Sequence, residues 1–128
     1  MSFNKNINSI ADYEEVKTVI EKGYLKGAIE GNFDLVMTTF HPDATMYGYS
    51  EGSLTSGSIR NLADYIEQFG PSKNMTTRID VLSMTPTTAT VRIELENAAC
   101  GKNYTDYHQL IKLDGKWKVV SKLFHMYD

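Results

Sequence analysis

Apolar positions recur at helical spacing over the first third of the chain and at strand spacing over the last half. Val16, Val19, Ile20, Tyr24 and Ala28 fall on one helical face, with Glu14, Glu15, Lys17, Thr18, Glu21 and Lys22 on the other. Asp12 stands as a cap, Glu15 as the residue that reaches back to it and Gly31 as a stop. The spacing therefore predicts a helix over 12–30, after a loose polar lead-in over 1–10. Asn32 opens a shorter helix through Phe33, Val36, Met37 and Phe40, which ends at His41-Pro42 because the residue before a proline is driven out of the helical region. Residues 44–49 read as a strand and 53–56 as its short return. Ser58 caps a third helix with Ile59, Leu62, Ile66 and Phe69 on one face, closed by Gly70-Pro71.

Beyond Pro71 the period becomes two. Strands are predicted over 75–84, 89–97, 102–113 and 116–126, with Asp114-Gly115 as a tight hairpin turn between the last two. Three helices on one face of a curved, mostly antiparallel sheet make an α+β layer architecture, and residues 11–127 form one domain. The last strand departs from clean alternation. It carries Trp117, Val119 and Leu123 on one parity and Val120, Phe124 and Met126 on the other. A strand half-exposed to water alternates, so the reading is that both faces are covered, one by helices and one by a second copy of the chain. A homodimer over the outer sheet face through Val120, Phe124 and Met126 is expected.

Composition narrows the function. A net charge of −3 and the absence of any long basic run argue against a nucleic-acid partner. One cysteine, Cys100, cannot build a disulfide framework within the chain. The opening residues have no apolar signal core, and no apolar stretch is long enough to span a bilayer, so no membrane association and a cytoplasmic location are expected. Eight Tyr, five Phe and one Trp are many for 128 residues and fit either an aromatic core or a lined cavity.

The order of elements, together with Gly31-Asn32-Phe33-Asp34, Phe40-His41-Pro42-Asp43-Ala44, Tyr104-Thr105-Asp106-Tyr107, Asp114-Gly115-Lys116-Trp117-Lys118-Val119-Val120 and Lys122-Leu123-Phe124-His125, resembles the nuclear transport factor 2-like superfamily. Within it the chain is most similar to the putative lumazine-binding family, over residues 10–126. The resemblance implies a cone: a curved sheet wrapped round the helices, with a pocket between them, and dimerisation through the outer sheet face. The family label implies a pteridine-like ligand. The superfamily includes ketosteroid isomerases, in which a tyrosine seven residues before the helix-ending glycine stabilises the enolate oxygen; Tyr24 matches it. Their general-base aspartate falls at Gly48, so that base is missing here.

Candidate chemistry starts from the residues that titrate near neutrality. His41, beside Pro42, reads either as a base at a pocket mouth or as the fastening of a turn. His108 reads as a surface or interface residue. His125 follows Trp117 at period two and, if no bulge intervenes, points inward with it. Asp106 is either an inward acid–base group or an interface hydrogen-bonding residue, because Lys112 and Leu110 assign opposite facings to its strand. The candidate catalytic residues are thus Tyr24, Asp106 and His125, and the candidate ligand-binding residues Tyr24, His41, Tyr47, Tyr65, Trp117 and His125. The histidines are too scattered in sequence for a metal centre, and the glycines fit no phosphate or dinucleotide loop, so neither metal nor cofactor is expected.

Three functions stay open: a small-molecule-binding protein with an aromatic-lined pocket, a small acid–base enzyme of isomerase, cyclase or dehydratase type, and a dimeric interaction module. A deep cavity holding an inward histidine paired with a carboxylate or a tyrosine favours the enzyme. A cavity of tyrosines and apolar walls alone favours the binder.

Overall fold

The computed structural model describes residues 8–128; most of the expected lead-in lies outside them. Ser9 caps the first helix in place of Asp12. Its hydroxyl accepts the Asp12 N–H at 3.2 Å, and the Asp12 carboxylate accepts the Ser9 N–H at 2.8 Å, a reciprocal arrangement that satisfies two otherwise orphaned donors. The helix runs without a break from α1 (Ile10–Val19) through a π-helical segment (Ile20–Leu25) into α2 (Lys26–Glu30). Gly31 ends it in the left-handed region at φ 71°. Asn32 caps α3 (Phe33–Met37) by accepting the Leu35 N–H. This helix is shorter than its apolar spacing suggests, because Phe40 already belongs to a strand and pairs with Val119.

The sheet is built from β1 (Phe40–Ser50), β2 (Ser53–Thr55), β3 (Thr76–Met84), β4 (Thr88–Glu96), β5 (Asn103–Leu113) and β6 (Lys116–Tyr127). Its order is β2-β1-β6-β5-β4-β3, antiparallel throughout except where β1 runs parallel to β6. Between β2 and β3 the chain makes a 3₁₀ turn (Ile59–Asn61), capped by Ser58, and α4 (Leu62–Phe69). The fold is α+β, with the helices on one face of the curved sheet. No helix among the described residues is long and apolar enough to cross a membrane. The core joins Val16 and Ile20 of the first helix to Val91, Ile93, Trp117 and Val119 of the sheet.

Strand β6 corrects the reading of its parity. Its pairing with β5 passes from Leu110↔Val119 to Gln109↔Ser121, leaving Val120 as an extra residue with no β5 partner. Such a bulge exchanges the two faces for everything beyond it. Trp117 and Val119 are buried before it; Lys122, Phe124 and Met126 are buried after it. Apolar residues on both parities therefore record one slip along one buried face. Phe124 and Met126, expected on the outer face, point inward. His125, expected to share the face of Trp117, is exposed and packs edge-on against Tyr127.

Candidate functional site

The site begins with a widened turn in the first helix. Thr39, just before β1, is buried, and its hydroxyl accepts the Tyr24 N–H at 2.7 Å while donating to the Val19 carbonyl at 3.2 Å. The side chain thus stands in for helix backbone partners and opens the turn into a π segment, a distortion concentrated at functional sites. Gly23 makes room for it, since a Cβ there would lie 2.0 Å from Thr39 Oγ1. The widened turn carries Tyr24.

Tyr24 donates its hydroxyl to Asp106 Oδ2 at 2.6 Å. Asp106 and His108 stand two apart on the inner face of β5, and His108 Nε2 lies 3.2 Å from the same Oδ2. The other oxygen, Oδ1, has no protein hydrogen-bond partner among the described residues. The His108 ring packs between Tyr24 and Phe40, with centroids at 5.0 and 5.7 Å. Lys122 enters from β6, where it pairs with His108 on one side and Met46 on the other. Asp106 pairs with Phe124, so Asp106 and Lys122 are diagonal neighbours on the inner face. The Lys122 ammonium lies 5.4 Å from the Tyr24 ring centroid and 5.1 Å from that of Phe124, with Met46 Sδ at 3.7 Å.

Burial acts on all four groups, and the neighbours overcome it only at Asp106. Burial pushes the Asp106 carboxyl up, but the charge of Lys122 and the hydrogen bonds from His108 and Tyr24 hold it below its ordinary 3.8. Burial keeps His108 below 6.5, against the pull of Asp106. It also lowers Lys122 against the same pull. Burial and then the Asp106 charge raise Tyr24 well above 10. At neutral pH the constellation is an ionised carboxylate, a neutral imidazole and a phenol. With Asp106 ionised, His108 Nε2 carries the proton and Nδ1 is a bare acceptor.

Tyr24, Asp106 and Lys122 line a cavity of about 480 Å³. Its other walls are mainly apolar, with Tyr65, Ile66 and Phe69 from α4 facing Leu95 and Phe124 from the sheet. Tyr65 accepts the Cys100 N–H at 3.2 Å, and burial pushes its phenol to about 12. A buried carboxylate beside a nucleophile-type amine and a phenol, in apolar surroundings, can move protons at a carbon next to a carbonyl. Among the described residues no three His, Cys, Asp or Glu side chains gather to hold a metal.

The sequence candidates separate accordingly. Tyr24, Asp106 and Tyr65 border the cavity. His125 does not: the slip at Val120 turns it outward. Tyr47 is on the outer face, 44% exposed. Trp117 is buried but lies among Val19, Gly23 and Thr38, away from the cavity. His41 accepts the Asp43 N–H through Nδ1 at 3.0 Å and fastens the turn. Gly48, at the position of the isomerase base, has no room for a side chain, because a Cβ would stand 2.3 Å from the Phe124 carbonyl oxygen. His108, read as a surface or interface residue, is fully buried on the inner face of the sheet. Lys122 was not among the candidates. The signal for both was parity: His108 is in phase with Tyr104, Asp106 and Leu110, and Lys122 with Phe124 and Met126.

Comparison with known proteins identifies the family and the fold. A model of the family described as putative lumazine-binding matches residues 11–125. Aldolase FrzH of Cladobotryum sp. is 44% identical over 108 residues, covering 84% of this chain and 80% of that protein. An NTF2-like protein of unknown function from Methylobacillus flagellatus KT superposes with a TM-score of 0.91 at 33% identity, covering 99% of this chain and 100% of that one. Another from Shewanella baltica OS155 gives 0.86 at 30% identity, with 96% and 99% coverage.

Proposed function

The chain belongs to the putative lumazine-binding family of NTF2-like proteins, and from that premise we propose that it is a small acid–base enzyme of aldol type, making or breaking a carbon–carbon bond next to a carbonyl. The observation that carries the reading is the buried chain from Tyr24 through Asp106 to His108 at the cavity wall. The similarity to a protein named as an aldolase points to the same chemistry. The substrate class is a small, largely apolar ketone or aldehyde, since much of the wall is apolar and Tyr24, Asp106 and Lys122 supply polar groups to it.

Asp106 is the base. Its unpartnered Oδ1 removes the proton next to the carbonyl, while His108 Nε2 on Oδ2 holds the carboxylate in place. Tyr24, whose single O–H rests on Oδ2 without substrate, turns that proton to the oxygen that gains charge and leaves His108 on Oδ2; a phenol fills this role only while it stays protonated, as its burial ensures. His108 is a positioning residue behind Asp106. A second copy of the chain on the outer sheet face is part of the proposal, resting there on exposed Tyr47, Tyr107 and Leu123, which lie in one row across β1, β6 and β5.

The test is proton exchange in heavy water with benzylacetone as probe ketone. The wild-type protein is expected to incorporate deuterium next to the carbonyl, and Asp106→Asn to lose that activity while keeping its fold. Saturable binding of the probe without exchange would replace the enzyme reading with that of a binding protein.

A further inference from the structure

Lys122 helps by its charge to keep Asp106 ionised, yet it makes no direct ion pair with that carboxylate. It is 6% exposed, among residues in phase with Phe124 and Met126. Lysine is rarely buried without a carboxylate partner, yet among the described residues no carboxylate oxygen lies within 4.0 Å of its nitrogen, and its hydrogen-bond partner there is a thioether sulfur at 3.7 Å. Two aromatic faces and Met46 surround the nitrogen, and the side chain borders the same cavity as Asp106 and Tyr24. A methionine or leucine would fill this volume without desolvating a charge. An amine kept there at a cost is suited to serve as a nucleophile, because lysine is activated by desolvation in an apolar pocket.

We propose that Lys122 forms a covalent iminium with the carbonyl substrate. The inference rests on the carbonyl-chemistry reading of the cavity and specifies how the carbonyl is activated. The neutral Nζ attacks the carbonyl carbon; the nitrogen–carbon bond forms as the carbonyl π bond breaks onto oxygen. That oxygen takes a proton from the Tyr24 phenol, whose ring centroid lies 5.4 Å from Nζ, and the nitrogen gives one back to it, leaving a carbinolamine. A further proton on the oxygen lets it depart as water when the nitrogen lone pair closes the carbon–nitrogen double bond. The sum is amine, ketone and one proton giving iminium and water, with no oxidant or reductant. The positive nitrogen then acidifies the neighbouring carbon, whose proton passes to Asp106, and the neutral enamine is the carbon nucleophile. Burial, which favours the unprotonated amine, assists the first step, and Asp106 is close enough to balance the iminium charge.

The experiment combines trapping with exchange. Protein is incubated with benzylacetone and cyanoborohydride, and the adduct is located by peptide mass mapping. Lys122 is expected to take up one reduced probe in preference to the exposed Lys26. Lys122→Arg, which keeps the charge and cannot form the adduct, is expected to lose both that adduct and deuterium exchange. Lys122→Met, which keeps the stem, serves as a second variant should arginine disturb folding, and the same two losses are expected. Labelling of surface lysines alone, or exchange that survives in both variants, would overturn the iminium. Surviving exchange would leave Asp106 acting directly on the ketone, so the acid–base reading would stand. An adduct at Lys122 without exchange would support the iminium and remove the proton-transfer reading for this probe.

Discussion

The two halves of β6 are both buried against the helices, yet they differ in what they bury. Before the bulge at Val120, Trp117 and Val119 pack into an apolar core. After it, Lys122, Phe124 and Met126 face a cavity, with an ionised Asp106 and a buried His108 on the adjoining strand. One strand thus serves a packing end and a chemical end. A single extra residue separates them, so each end uses its own parity. Stability is concentrated at the first, and costly desolvated charge is tolerated at the second.

The largest expected effect is at the packing end. Trp117→Ala should cost about 3–5 kcal/mol in denaturant unfolding through the cavity it leaves. The surviving folded fraction should still exchange ketone protons, because Trp117 lies away from Asp106. Loss of exchange in fully folded protein would break the separation between the ends. At the chemical end, Tyr24→Phe keeps the ring and removes one donor from a buried carboxylate, so it should cost about 1.5–3 kcal/mol. It should also raise the Asp106 pKa, measurable by carboxyl NMR titration.

A pH series on stability sharpens the contrast. The fold holds His108 below 6.5, so the unfolded chain takes up a proton that the folded chain refuses, and stability should decline as pH falls below 6.5. The contribution of Asp106 is complete above 3.8 and is lost as pH falls below it. Lys122 runs in the same direction from the alkaline side. The unfolded chain keeps its proton to about 10.5, so stability rises as the folded amine deprotonates, until the raised Tyr24 phenol opposes it above 10. Trp117→Ala should lower the whole curve without changing its slopes, whereas Lys122→Met should flatten the alkaline limb. The smallest effect on the single chain is expected outside. Leu123→Lys should change unfolding by no more than about 0.5 kcal/mol, yet reduce a light-scattering mass of two chains to one. A wild-type mass of one chain would remove the second copy, whose interface needs at least about 1,000 Å².

Much of the fold was legible because caps and periods are local signals. Asn32, Ser58 and the Asp114-Gly115 turn mark their elements from sequence alone. The chemical end was harder to read because its information is positional. A bulge leaves no compositional trace within Val119-Val120-Ser121, so period two carried His125 inward on paper and left Lys122 outside. Lys112 misled in another way. It shares the inner parity of β5 but sits near the end of the sheet, where its ammonium lies 5.9 Å from the Trp117 ring centroid. A lysine there does not mark an outer face. The pairing of Tyr24 with Asp106 joins residues 82 positions apart, and no local pattern encodes it.

The π segment makes the molecule sensitive to length in one place. An α-helix turns through about 100° per residue. Deleting a single residue between Ile20 and Leu25 would let the helix close into ordinary α phase and shift the chain by that angle on one side of the cut. Thr39 would lose the amide it binds, and the phenol would swing out of reach of the carboxylate. At the hairpin around Gly52, whose surroundings are open, a change of length would act on the β1–β2 pairing instead. A change of chain length therefore tells on the site through a six-residue stretch of helix, which acts as a ruler for the distance between backbone and chemistry.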